Sequence, residues 1–572
     1  PPNSSMRFPF LPLCCVLAVL TAAPLTATPP DLTASGTIDS IDRKSTYNLG
    51  PTGMRGWINI DRSPGTSHGE DGTMTDLSRQ ILVTAVSAPA SDAKIQINDV
   101  ILGVAWGNAA GPVPVFSSDA RKAFGNAITE AEKEVNRGIL RLKVWRSGNT
   151  SDVSITLPTF GAGYSDTSPY NCPKSALILS AAKKNLVSQL QKNPNILNPN
   201  YYNGPITGLA LLSGFTPDDS DYKFIQERLQ AFARQISDQG PRHIGHVTWD
   251  WGYAGIFLAE YYQATGDASV LPGIQKFTLK LAQSQSMYGT FGHNVSLVRT
   301  DGTGRLSVGG YGPVNLAGLG ANLAIVMGKK ALVAGKQPVD PKINDAIHRS
   351  SNFFAWYANK GSIPYGEHLP GASGHGSNGK DQLAALFLSQ CENRVAEAEY
   401  FTRMSVAGFT GREYGHTGQG FSYLTEGLAT NLGGPLAIAE YLKRVRWHLD
   451  LSRRTDGSFA YDGEEQYGGG STSDGTYLGV SSYNEMNATA CYVLTFSVPL
   501  KRLHLTGKIP NPALELGPAK VANAIAAATY KFDRLKRTSA QLLNDISEYD
   551  PVVRNFAAQE LASRKLSNAE LN

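Results

Sequence analysis

Between Gly411 and Phe421 the sequence Gly411-Arg412-Glu413-Tyr414-Gly415-His416-Thr417-Gly418-Gln419-Gly420-Phe421 sets a cation, a carboxylate, a phenol and an imidazole within five residues. Glycines on either side let the backbone bend close to a ligand. Elimination from a uronate polysaccharide uses this set: a cation neutralises the carboxylate, a base removes the adjacent proton, and an acid protonates the departing oxygen. Arg412 is expected as the neutraliser, with His416 and Tyr414 as base and acid and Glu413 beside them. In the structural account of the same residues, Arg412 pairs with an acid and His416 caps a helix.

Two further loops carry groups of the same kind. In Gly371-Ala372-Ser373-Gly374-His375-Gly376-Ser377-Asn378-Gly379-Lys380-Asp381, small neighbours leave the His375 imidazole approachable. The helix that follows offers N–H groups to an anion, reinforced by Lys380 with Asn378 alongside, while Asp381 reads as a first-turn acid answering the helix dipole. In Thr248-Trp249-Asp250-Trp251-Gly252-Tyr253, aromatic rings flank an acid. Trp249, Trp251 and Tyr253 are expected to stack on sugar and Asp250 to act as a catalytic acid; otherwise the rings are core and Asp250 caps the helix. Tyr311, in Gly309-Gly310-Tyr311-Gly312, adds a ring to such a cleft. A hydrolase needs two carboxylates about 5–9.5 Å apart, and Glu413, Glu367 and Asp474 are the partners available to Asp250. His243 and His246 are spaced like metal ligands but lack a third, so no metal is expected. No phosphate loop, nucleophile elbow or dinucleotide fingerprint stands in a fitting context, so no cofactor is expected either.

These loops punctuate a helical pattern. From about 172 to 510 apolar residues recur at i, i+3 and i+4, as in Ile225, Leu229 and Phe232, or Ile274, Phe277 and Leu281. Helix, glycine- and aromatic-rich loop, helix, repeated many times, predicts an α/α toroid in which each hairpin buries a face on its neighbours and the loops collect at one rim. The similar stretches Ala259-Glu260-Tyr261-Tyr262 and Ala439-Glu440-Tyr441-Leu442 are expected to be equivalent helix ends. Residues 45–160 differ: short β-runs such as Ile81–Val86 and Ile139–Trp145 frame one amphipathic helix over 118–134, capped by Ser118 or Asp119. Residues 517–572 are helical again. The expected fold class is therefore multidomain, with a small β-rich domain, a large all-α toroid and a short helical tail.

Composition narrows the setting. A chain of 572 residues fits two to four domains. Its 52 Lys plus Arg against 48 Asp plus Glu form no basic stripe, which argues against a nucleic-acid partner. Met6-Arg7, an apolar run from Leu11 to Leu25, and small residues at Ala23 and Ala27 read as an export signal over 1–27, followed by a polar linker over 28–44. The run is too short and too proline-interrupted for stable membrane insertion, so the protein is expected to be secreted or periplasmic. Cys172, Cys391 and Cys491 allow one disulfide or three thiols.

The order of elements in 45–160 resembles a PDZ domain. The likeness rests on the loop Gly50-Pro51-Thr52-Gly53-Met54-Arg55-Gly56, on Val83–Ser87 with Ala88 and Ala90, on Ile97-Asn98-Asp99-Val100-Ile101, and on the helix before the last strands; the insertion over 107–116 departs from it. Such domains bind extended peptides, often by the C-terminal carboxylate. The resemblance implies a peptide ligand at Gly50, Gly53 and Gly56, or else a groove blocked by its neighbour. Thr455-Asp456-Gly457-Ser458-Phe459 resembles a turn of terpenoid-cyclase-like toroids, without their acidic cluster. Tyr549–Leu561 resembles the second helix of a HEAT repeat, with Pro551 at its start. The whole resembles an uncharacterised family of exported bacterial proteins, on Asn48–Gly53, Thr248–Tyr253, Gly309–Gly312 and Gly411–His416. The function expected is that of a polysaccharide lyase or glycoside hydrolase working on the toroid rim. The alternative is a non-catalytic scaffold for peptides or proteins.

Overall fold

Six strands follow one another in an antiparallel meander: β1 (Tyr47–Asn48), β2 (Met54–Trp57), β3 (Ile81–Val86), β4 (Val100–Trp106), β5 (Ile139–Arg146) and β6 (Asn149–Thr156). The computed structural model describes residues 31–32, 46–59, 73, 75–161, 170–241, 247–296, 308, 312–376, 379–412, 420–461 and 486–564. Alternation decides which face is core: in β5, Leu140, Leu142 and Val144 are buried while Arg141 and Lys143 lie on the other face. Ser147 and Gly148 both take positive φ, the twist that a two-residue hairpin between β5 and β6 demands. Helix α1 (Ala120–Ala131) packs on β4 and β5. Asp119 caps it, accepting from the N–H groups of Arg121 and Lys122 and from the hydroxyls of Thr73 and Thr75.

The helical body is a ring of six hairpins. Its helices are α2 (Pro173–Lys192), α3 (Asn203–Gly214), α4 (Tyr222–Gln239), α5 (Val247–Thr265), α6 (Leu271–Ser284), α7 (Asn315–Ala334), α8 (Pro341–Ala355), α9 (Lys380–Gln390), α10 (Val395–Ala407), α11 (Gly420–Leu432), α12 (Gly434–Ser452) and α13 (Ala488–Phe496). The odd-numbered helices from α3 to α13 touch in sequence, and α13 closes on α3. Composition separates the two layers. The inner helices α3, α5 and α7 are buried on almost every side, whereas α4, α6 and α8 bury a single stripe. Helix α7 is long and apolar enough to cross a membrane, yet 83% of its most apolar stretch is buried as part of the inner ring.

Because every hairpin reverses the chain, the inner helices all run the same way. Gln263, Ala334, Gln390 and Leu432, at or near the C-terminal ends of α5, α7, α9 and α11, line one cavity. The N-terminal ends therefore form the opposite end, called here the mouth. The two similar stretches prove not to be equivalent: Glu260 lies fully buried in inner helix α5, whereas Glu440 lies half-exposed in outer helix α12. Of the tail helices α14 (Pro518–Asp533), α15 (Ser539–Asp545) and α16 (Pro551–Ser563), α14 packs against α10 and α12, where Val406, Ala437, Leu516, Val521 and Ala524 form a small cluster, while α16 packs on α14 and α15 and its Val552, Val553 and Phe556 join the ring's core. Cys172, Cys391 and Cys491 are all free thiols.

Candidate functional site

The first turns of the inner helices are sewn together at the mouth. Asp250 accepts the Tyr202 N–H at 3.0 Å, which ties α5 to the start of α3. The rings of Tyr202, Trp249, Tyr253 and Phe421 meet on three helices, with Trp249 and Phe421 centroids 5.0 Å apart. Gly379, in the left-handed region at φ +73°, admits the start of α9 against Phe421 and Thr425, where a Cβ would fall 2.5 Å from the Thr425 hydroxyl. Above this floor, the Trp249 indole donates to His293 Nδ1 at 3.0 Å, and Thr248 N–H donates to the His293 carbonyl. An Nδ1 that accepts leaves the proton of a neutral imidazole on Nε2. His293 is half-exposed, and Glu367 stands exposed beside Gly312 at the approach to α7.

Among the described residues, several polar atoms in this region have no protein partner. Thr248 Oγ1 and Tyr253 Oη on α5, Asn315 Oδ1 on α7, Gln382 Oε1 on α9 and Arg412 Nη1 just before α11 are all buried without a hydrogen bond. Buried polar groups are nearly always paired, so a set in the mouth-end turns of neighbouring helices marks a place for water or a ligand. Lys380, in the first turn of α9, is buried as well, and desolvation brings its pKa down to about 8 although Asp381 opposes the shift.

The structure assigns other work to several residues expected to act on substrate. Arg412 donates from Nε and Nη2 to Glu426 at 3.0 and 2.6 Å, while the Tyr441 hydroxyl donates to the same carboxylate at 2.6 Å. Burial disfavours the Arg412 charge, yet Glu426 and the surrounding tyrosines hold its pKa well above the ordinary value. Its charge is already answered by Glu426. His375 is not open: its Nε2 lies 2.7 Å from Asp550 Oδ2, the cap of α16, with the imidazole 1% exposed. Asp250 is spent on Tyr202, and Asp381 on the N–H groups of Ile363 and Gly376. Trp249 and Tyr253 are floor rather than stacking surface, and Trp251 points outward to Phe277, with the Lys280 ammonium 3.9 Å above its ring. Glu413, Tyr414, His416, Asn378 and Tyr311 lie outside the described residues, as do His243, His246 and Asp474. His293 is a candidate site residue for which the sequence offered only the glycine-aromatic run Tyr288–His293, a run that could line a cleft. Among the described residues no three acidic, His or Cys side chains gather to hold a metal.

In the N-terminal domain, the loop expected to hold a peptide is filled by the ring itself. A Cβ on Gly50 would meet Ile128 at 2.6 Å and the Asp450 carbonyl at 2.8 Å; one on Gly53 would meet the carbonyls of Ser87 and Ala88, and one on Gly56 would meet Ile81. The Asn48 amide donates to the carbonyls of Leu451 and Arg453 at the end of α12. Trp447 and Leu451 of α12 belong to the core of the β-rich domain. A helix C-terminus carries about half a negative charge, so α12 presents to this loop what a peptide carboxylate would. Below it, Lys174 and Arg453 each contact both Glu132 and Asp450 at 2.6–2.9 Å, all fully buried or nearly so.

The family model described as "Domain of unknown function (DUF6288)" matches residues 175–507, which is the ring from α2 to just past α13. No curated protein and no solved structure matches the chain.

Proposed function

We propose that this chain, which belongs to the DUF6288 family of unknown function, is an exported polysaccharide lyase whose site is the mouth of the ring. The observation that carries the reading is the set of unmet buried polar atoms in the mouth-end turns of α5, α7 and α9 and on Arg412. The lyase variant is favoured over a hydrolase because Asp250 and Asp381 are committed to backbone N–H groups, which leaves Glu367 as the exposed carboxylate among the described mouth residues. Lys380, with a pKa of about 8, has a neutral fraction at neutral pH that suits a base for the proton beside a uronate carboxylate. His293, whose Nδ1 accepts from Trp249 and whose Nε2–H is left to donate, suits a hydrogen bond to the departing oxygen, which takes its proton from water. In this step Lys380 takes the proton from the C–H bond next to the carboxylate, the neighbouring C–O bond breaks as a C=C bond forms, water protonates the departing oxygen, and the proton on Lys380 returns to solvent. Tyr414 and His416 remain proposed members of the same site. The β-rich domain is read as PDZ-like, with its groove turned to clamping α12, and the tail as HEAT-like.

The test is a panel of polygalacturonate, alginate, hyaluronan and heparin, followed by ultraviolet absorbance of the new double bond and by reducing ends. Activity lost by at least 100-fold in Lys380→Met and His293→Gln supports the reading. The sealing of Arg412, Asp250 and His375 favours a second reading, a non-catalytic scaffold, and silence of the whole panel in both assays selects it.

A further inference from the structure

The end of the ring opposite the mouth holds a cavity of about 880 Å³, walled by the ends of α5, α7, α9 and α11 and by the chain from Lys501 to Glu515. That volume is in the range of sites for organic ligands. The wall is built rather than loosely draped. Glu260, fully buried on α5, accepts the N–H groups of His504 and Leu505 at 3.0 and 2.8 Å and so holds this stretch against the ring.

The wall carries three lysines, Lys329, Lys330 and Lys501, and His504 against two carboxylates, Glu392 and the exposed Glu515. Lys329 has Glu392 at 3.6 Å, and Lys508 donates to the Gln263 carbonyl at 2.7 Å, answering the end of α5. Lys330 is half-buried, and among the described residues its ammonium donates to the Gln390 side-chain oxygen at 2.7 Å, while Glu392 and Glu260 act on its charge without an ion pair. Lys501 is exposed at the rim, and the half-buried His504 completes the group. Burial depresses the pKa of both Lys330 and His504, and the Lys330 and Lys508 charges depress that of His504 further. Helix C-termini contribute about half a negative charge each, but this decays within the last turn and is met by Lys329 and Lys508. Lys330, Lys501 and His504 are left facing the cavity. Beside them, Val333 and Ile509 are 60% and 68% exposed.

We propose that this cavity is a second ligand site, separate from the mouth, for a small organic anion: a carboxylate or phosphate monoester carrying an apolar body. The anionic group lies between Lys330, Lys501 and His504, and the apolar part covers Val333 and Ile509. An anion there raises the proton affinity of His504 and Lys330, so binding near neutral pH takes up protons.

Calorimetric titration of the full chain with benzoate, phenyl phosphate and inorganic phosphate, each in two buffers of different ionisation heat, tests this. Saturable binding of benzoate or phenyl phosphate with proton uptake is expected, and whichever binds more tightly identifies the anionic group. Lys330→Met and, separately, the surface variant Lys501→Glu are each expected to weaken binding at least tenfold while circular dichroism stays unchanged. Failure of both aromatic anions to bind, equal affinity for inorganic phosphate alone, or unchanged affinity in both variants overturns the proposal. None of these outcomes bears on the mouth.

Discussion

Replacing Lys174 by Met asks whether the β-rich domain and the ring are one unit. Lys174 and Arg453 face Glu132 and Asp450 in a closed four-charge cluster with contacts of 2.6, 2.9, 2.7 and 2.8 Å. At an effective dielectric of about 20, each such contact is worth roughly 6 kcal/mol of gross attraction, and Lys174 makes two. Against this stands the several kcal/mol needed to strip water from an ammonium, which the variant no longer requires. Removing one partner of a buried pair leaves an unanswered charge, and the expected net loss is about 3–5 kcal/mol. Lys174, Asp450 and Arg453 belong to the ring and Glu132 to the β-rich domain, so the part of that loss that runs through Glu132 falls on the docking of the two. Urea unfolding of the full chain, followed by tryptophan fluorescence and far-ultraviolet circular dichroism, is the assay. The wild type is expected to give coincident transitions, and the variant an earlier, separated one. The double variant Lys174→Met, Glu132→Gln restores a neutral cluster, so its cost should fall short of the sum of the two singles by about 2 kcal/mol or more. A single-variant loss below about 1 kcal/mol, or additivity within about 0.5 kcal/mol, would refute the reasoning.

Two other groups give pH and docking signatures. Burial raises the Glu260 pKa to about 7, so its ionisation disfavours the folded state: stability falls as pH rises from the ordinary carboxylate range through about 7, by about 3 kcal/mol at most. Glu260→Gln should flatten that slope in denaturation measured from pH 4 to 8, and an unchanged slope excludes Glu260 as its source. Burial opposes the Asp550 charge, yet His375 and the N–H groups of α16 hold its pKa below the ordinary value. Its contribution is therefore complete above the ordinary carboxylate range and lost as pH falls through it. Asp550→Ala removes both the cap and the partner of buried His375, for about 3 kcal/mol. Trypsin should then cut at Arg534–Arg537 at least tenfold faster while the ring stays intact; equal rates mean the tail is held by its apolar face alone.

What could be read from the sequence was local. The cap at Asp119, the turn at Ser147-Gly148 and the stripe Ile225, Leu229, Phe232 each depend on residues within a few positions, and each stands as expected. The helix-loop repeat was legible for the same reason, although the sorting of helices into inner and outer needed more than periodicity. In α7 the small residues Ala317, Gly318, Gly320, Ala321 and Ala324 allow burial on all sides, and a search for one apolar face overlooks that. The site failed where partners are distant. Arg412 looked free because Glu426 lies on the next helix, and His375 because Asp550 is 175 residues away. Asn48 meets α12 across some 400 residues, so nothing near Gly50 announces that its groove is taken. His293 owes its orientation to an indole 44 residues earlier.

Losing Arg412 as the neutralising cation does not remove the electrostatic case for an anionic substrate, because the ring supplies its own. Six inner helices begin at the mouth, and each N-terminus carries about half a positive charge that fades within a turn. The chain sets acids there to meet it, Asp250 in the first turn of α5 and Asp381 in that of α9, and both are consumed by N–H groups of neighbouring segments. Glu426 in turn cancels Arg412. On the proposed lyase reading, the helix starts would then attract a carboxylate, which would make uronate preference a property of the ring's assembly rather than of one arginine. On that argument Arg412→Lys, which keeps the charge but not the fork that grips Glu426, should lower stability while leaving the preference for acidic over neutral polysaccharide intact; a switch to neutral substrates would return the role to Arg412.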